Sequence, residues 1–162
     1  MAGRNLSTMS NQELARLRLE QVGFIFQAYN LLPVLTAMEN AEFPLLLKGV
    51  EEKERHRRVK EIFERTGLGG LEDRRPGKLS GGQQQRVAVV RAVVGEPALV
   101  LADEPTANLD SAASESLLDM MLELNRELGT TFVFATHDAR VMERSRRLVR
   151  LIDGSISSDE VQ

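Results

Sequence analysis

Cysteine is absent from this sequence, which excludes disulfides, thiolate catalysis and cysteine-ligated metal sites. Histidine occurs only twice, at His56 and His137, and that scarcity speaks against a histidine-rich metal centre. Long apolar runs are missing as well. Leu45-Leu46-Leu47 is cut short by Lys48, far below the ~20 apolar residues of a membrane-spanning helix. The first residues also lack the apolar core of a secretory signal, so the chain is expected to be soluble. Twenty-one basic and twenty-four acidic side chains leave a formal charge of only −3, which gives no support to a nucleic-acid surface. No internal repeat or low-complexity linker interrupts the chain. The most consequential absence is a motif: no Gly-x-x-x-x-Gly-Lys-[Ser/Thr] phosphate loop occurs in the 162 residues.

The residues present make a globular protein. A 42% hydrophobic and 28% charged composition is ordinary for one domain whose core hides roughly two thirds of the unfolded surface. Asn11 to Glu20 predicts an amphipathic helix, and Val22 to Phe26 a buried strand with Gln27 at its end. Thr36 and Glu39 form a capping box for a helix that Pro44 is expected to end or bend. Glu51 to Arg65 reads as a charged helix with Val59, Ile62 and Phe63 inward. Further helices are expected at about Gln83 to Val94 and Ser111 to Leu128, the second ended by Gly129. Strands follow at Leu99 to Ala102, Thr130 to Ala135 and Leu148 to Ile152, with Asp153-Gly154 as a hairpin turn. Alternating strands and helices imply an α/β architecture with a mostly parallel sheet, and the insert between Phe26 and Leu99 implies a helical lobe.

Chemistry concentrates at the ends of these elements. Leu79-Ser80-Gly81-Gly82-Gln83 places flexible backbone before a helix, whose first N–H groups and dipole favour an anion such as phosphate. The apolar run 98–102 ends in Asp103 and Glu104, at the strand end where open α/β sheets place ligands. Asp103 could hold Mg²⁺ directly or through water, and Glu104 could polarise an attacking water. Both also suit a solvated strand end. His137 follows the next strand and could donate to a γ-phosphate, or serve structurally. Gln27 offers an amide oxygen to Mg²⁺ or to its own loop. Asn108 and Asp110 lie in the turn before a helix, where capping and contact with a partner are both open.

Together these segments resemble the nucleotide-binding subunit of an ATP-binding cassette transporter, of the lipoprotein-release or macrolide-export branch. The resemblance covers about Gly3 to Ile156. It rests on the signature Leu79-Ser80-Gly81-Gly82-Gln83, on Leu99 to Glu104 followed by Pro105-Thr106-Ala107-Asn108-Leu109-Asp110, on Gln27 within Phe24 to Pro33, and on His137. It implies a P-loop NTPase-like cassette fold, partial over 1–162, with a helical lobe and signature region at 28–96. ATP and Mg²⁺ are the implied cofactors, and hydrolysis to ADP and phosphate the implied reaction. Asp103 and Gln27 would position Mg²⁺, Glu104 would be the general base and His137 would sense the terminal phosphate. Ser80, Gly81, Gly82 and Gln83 would address ATP held by an opposite subunit, near an interface at Asn108 and Asp110. The implied location is cytoplasmic, peripheral to the membrane through a membrane subunit.

The family match begins after the region that carries the phosphate loop. The chain is therefore expected to be a truncated subunit that does not hold or hydrolyse ATP alone, since the loop's amides and lysine anchor the phosphates. Two other roles stay open: a non-catalytic module that supplies the signature to an intact cassette, or a self-associating remnant. Strands at Val22, Leu99 and Thr131 are expected to lose cover on this reading, which favours strand exchange or docking to another chain.

Overall fold

A computed structural model describes residues 5–162. In chain order the elements are α1 (Asn11–Gln21), β1 (Val22–Ile25), α2 (Ala37–Leu47), α3 (Glu52–Arg65), α4 (Gly81–Val93), β2 (Leu99–Asp103), α5 (Ser111–Leu128), β3 (Thr131–Ala135), α6 (Ala139–Glu143), β4 (Arg147–Ile152) and β5 (Ser155–Val161). Three helices begin with the same reciprocal cap: Ser10 with Glu13, Thr36 with Glu39, and Ser80 with Gln83. In each, the hydroxyl accepts the third amide of the helix and the longer side chain accepts the cap's own amide. The third cap moves the start of α4 to Gly81, two residues before the expected Gln83. Gly129 ends α5 at φ 67°, where its N–H reaches the Asn125 carbonyl at 3.0 Å.

Pro44 does not end α2. The helix runs through it to Leu47, because a proline there removes only its own N–H, and the Lys48 amide still reaches the Pro44 carbonyl at 3.1 Å. Leu45 and Ala41 from the same helix are fully buried, and that burial offsets the missing bond.

β1, β2 and β3 form a parallel sheet in that order, whereas β4 and β5 pair only with each other as an antiparallel hairpin. The parallel part is thus smaller than the sequence suggests. Asp153 and Gly154 take positive φ in the hairpin turn, as an Asp-Gly turn of this kind requires.

α4 carries two apolar faces. Val89, Ala92 and Val93 join Ile25, Val100, Ala102, Leu117 and Met121 beneath the sheet. Val87, Val90 and Val94 join Ala41, Leu45, Val59, Phe63 and Leu68 in the helical lobe. Such a helix, apolar on most sides, must be buried on most sides. It approaches β1 so closely that a Cβ on Gly23 would lie 2.2 Å from the Ala92 carbonyl oxygen. In β1, β2 and β3, successive residues alternate between a more covered and a more open face. The Phe24–Leu101–Val133 row, one cross-strand register, faces outward at 37%, 37% and 49% exposure. One face of the expected buried strands is therefore covered and the other is not.

Candidate nucleotide site

The carboxyl ends of the parallel strands bring the candidate residues together. Asp103 ends β2, and Glu104 follows it with φ 43°, a left-handed turn that is uncommon for a residue with a Cβ. The Glu104 amide still donates to the Ala135 carbonyl at 2.9 Å, so the parallel ladder extends one residue past the strand. That anchor aims the carboxylate across to the loop after β3. There Oε1 accepts from the His137 amide at 3.1 Å and pairs with His137 Nδ1 at 2.6 Å, while Oε2 accepts the Thr136 hydroxyl at 3.0 Å. Because a carboxylate oxygen accepts here, Nδ1 carries the proton. Glu104 is mostly covered, with a side-chain exposure of 21%, whereas His137 is open at 88%. The imidazole is oriented from below and presents its far edge to solvent.

Asp103 is exposed, and among the described residues no hydrogen bond or ion pair engages its carboxylate. The same holds for the Gln27 side chain, in the turn two residues beyond β1. Both lie at one edge of the sheet, because β1 and β2 run parallel in register. Among the described residues no group of three acidic, histidine or cysteine side chains converges on a metal position. One carboxylate and one amide oxygen fit Mg²⁺, which usually takes few protein ligands and completes its shell with water and phosphate oxygens. The donor set therefore suits Mg²⁺ carried with a nucleotide.

The segment after Gln27 ties this edge to the signature turn. Asn108 Nδ2 donates to the Gln27 carbonyl at 2.8 Å, and the Tyr29 hydroxyl reaches the Asn108 carbonyl at 3.4 Å. A Cβ on Gly81 would sit 3.0 Å from that hydroxyl, so glycine lets the start of α4 approach it. Arg91, largely buried on α4, donates to the Tyr29 and Asn30 carbonyls at 2.7 and 2.6 Å. Burial pushes its guanidinium below the ordinary value. It fixes two consecutive left-handed residues, Tyr29 and Asn30. The Gln83 amide oxygen is committed to its own cap, and Asp110 caps α5 through the Ala113 amide at 2.8 Å.

Beside this loop lies a groove of about 300 Å³ lined by Phe24, Phe26, Leu47, Lys48 and Arg91 among others. Lys48 donates to the Gly95 carbonyl at 2.7 Å, and burial pushes its ammonium below the usual range. The groove is apolar with cationic edges. Sequence reasoning passed over Tyr29, Arg91, Lys48, Thr106 and Asp138 as site residues. The contacts that bring each of them to this region span 32 or more residues, and only the Thr-His-Asp run at 136–138 offered a local hint.

Residues 2–107 match the family model described as ABC transporter, and the chain belongs to that family. It is 47% identical over 158 residues to an uncharacterized ABC transporter ATP-binding protein of Thermotoga maritima, covering 98% of this chain and 67% of that protein. The lipoprotein-releasing system ATP-binding protein LolD of Legionella pneumophila is 43% identical, over 96% of this chain and 69% of that one. Among solved structures, the cassette MJ0796 as a dimer in a post-hydrolysis state bound to ADP and Pi matches with a TM-score of 0.87 at 38% identity. That match covers 99% of this chain and 71% of the other. The α/β cassette fold is thereby established, and the LolD relative is consistent with the lipoprotein-release and macrolide-export branch. Among the described residues no helix is long and apolar enough to cross a membrane.

Proposed function

We propose that this chain is the ATP-binding subunit of a transporter for export or lipoprotein release, and that its residues act on the terminal phosphate of ATP. Glu104 takes a proton from the attacking water. His137, oriented by Glu104 through Nδ1, faces Nε2 toward the γ-phosphate and donates to it only as the imidazolium, with both ring nitrogens protonated. Asp103 and Gln27 would hold Mg²⁺, which when bound neutralises charge on the phosphate oxygens. Ser80, Gly81 and Gly82 offer the open end of α4 to a nucleotide held by a second cassette, with Asn108 and Asp110 beside that interface. The first turn of α4 contains no acidic residue, so its dipole is left to an anion. The observation that carries this reading is the Glu104–His137 pair beside the unengaged Asp103 at one strand edge. The partner in the membrane would place an amphipathic segment in the groove at Phe24, Leu47 and Arg91, and the chain would thereby sit at the inner face of the membrane.

The start of α4 at Ser80, Gly81 and Gly82, with no acidic residue in its first turn, supports a second reading. On it, the chain completes a composite site by supplying its signature in trans and does not turn over alone. Mg²⁺-ATP binding and phosphate release should be measured for the chain alone and mixed with an intact cassette. Activity only in the mixture supports the trans reading; tight binding and steady turnover by the chain alone reject it. In whichever sample is active, Glu104→Gln should lower turnover by about 10²–10³-fold while nucleotide-dependent association persists. Unchanged turnover removes Glu104 from the general-base role.

A further inference from the structure

We infer that the hydrogen bond from Thr106 to Asp138 is a clamp that sets the Glu104–His137 contact, making both residues positioning residues for the imidazole. The inference rests on the roles proposed above for Glu104 and His137. Two short loops, 104–106 and 136–138, lie side by side at the ends of β2 and β3. At one end Glu104 gathers the Thr136 hydroxyl and the His137 amide and ring. At the other end the buried Thr106 hydroxyl donates to Asp138 Oδ2 at 2.8 Å. The Thr136 hydroxyl also accepts the Asp138 amide at 3.0 Å. His137 sits between the two fastenings, held by Glu104 and otherwise open to solvent.

Asp138 also starts α6, where its Oδ1 accepts the Arg140 amide at 3.0 Å. A helix cap needs one carboxylate oxygen. The second oxygen is free for another task, and it takes the Thr106 hydroxyl together with the Arg140 guanidinium at 2.7 Å. Arg140 first, and Thr106 after it, hold the carboxyl well below the usual carboxylate range, so it remains an acceptor at neutral pH. The Thr106 bond is thus separable from the cap. Without it, among the described residues, the side-chain hydrogen bonds that tie the 136–138 loop to the 104–106 loop are those to Glu104 alone, the very residue whose placement is in question.

The test uses the full chain with ¹⁵N-labelled histidine at constant neutral pH, where His56 on α3 is an internal control. In the native chain His137 should show the Nδ1–H tautomer. Thr106→Val, which removes the hydroxyl at nearly constant volume, should move His137 toward the mixture of an unconstrained imidazole. It should also speed exchange of the His137 amide by about tenfold. Thr106→Ser should restore both, and His56 should not change. An unaltered tautomer and exchange rate in Thr106→Val overturn the clamp. If that variant loses its folded spectrum, Asp138→Ser decides, since serine still caps α6 but lacks the second oxygen; an unchanged His137 there is equally fatal. These readouts need no nucleotide, so loss of the general-base role for Glu104 and loss of the clamp are separate outcomes.

Discussion

The helical lobe and the parallel sheet share one helix and differ in how completely they are enclosed. In the lobe, Val59, Phe63, Leu68, Val87 and Val90 are sealed on every side by α2, α3 and α4. In the sheet, Ile25, Val100 and Ala102 are equally sealed beneath, yet the row Phe24–Leu101–Val133 on the opposite face stands open. Contiguous exposed apolar surface of this kind marks a place where something else docks. The lobe is therefore complete as a packing unit, while the sheet is complete on one face only. We propose that the open face drives association with a second copy or another chain.

The largest effect expected from this contrast comes from the lobe. Phe63→Ala should lower unfolding free energy by about 3–5 kcal/mol, measured by urea denaturation, because the cavity has no route to solvent. Leu101→Ser, on the open face, should lose roughly 1 kcal/mol or less but should weaken association seen by sedimentation. If the native chain sediments as a monomer over a wide concentration range, the difference between the two faces has no consequence for assembly. A third change sharpens the comparison within the lobe: Thr36→Ala removes one half of a reciprocal cap and should cost about 1 kcal/mol by the same urea assay.

The smallest effect is a pH dependence confined to α3. Hydrogen bonds from Arg57 and then Arg58 lower the Glu54 carboxyl to about 2 from an ordinary 4.5. A depressed folded value contributes stability that is full above 4.5 and is lost as pH falls toward 2. Exposure and salt screening keep that contribution small. Glu54→Gln should therefore flatten a slight decline in helix stability between those pH values, followed by circular dichroism. A decline of equal size in the variant would assign it to other carboxylates.

Local signals made most of the elements legible. Ser111 to Leu128 could be read to both ends because Asp110 and Gly129 sit at its two ends, each acting within one turn, with the apolar spacing continuous between them. The signature helix began earlier than expected because its cap outweighs the low helix propensity of Gly81 and Gly82. Pro44, expected to end or bend α2, does not end it, because a proline near the end of a helix removes a single bond whose loss neighbouring burial can offset. The open sheet face was foreseen only in outline: apolar runs name a strand, but not which of its faces acquires a neighbour. At the candidate site, the positions of Glu104 and His137 at adjacent strand ends followed from strand order. Their direct contact, and the bond from Thr106 to Asp138 across 32 positions, depend on loop geometry that no local pattern encodes.

The bare contact between Gly23 and the Ala92 carbonyl has a mechanical meaning. Backbone meets backbone there, with the Val100 side chain alongside, so α4 cannot sink toward β1 without forcing main-chain atoms together. Any tilt of the lobe relative to the sheet must turn about that point. Ser80, more than two helical turns away at the far end of the same rod, would sweep the longer arc of the lever.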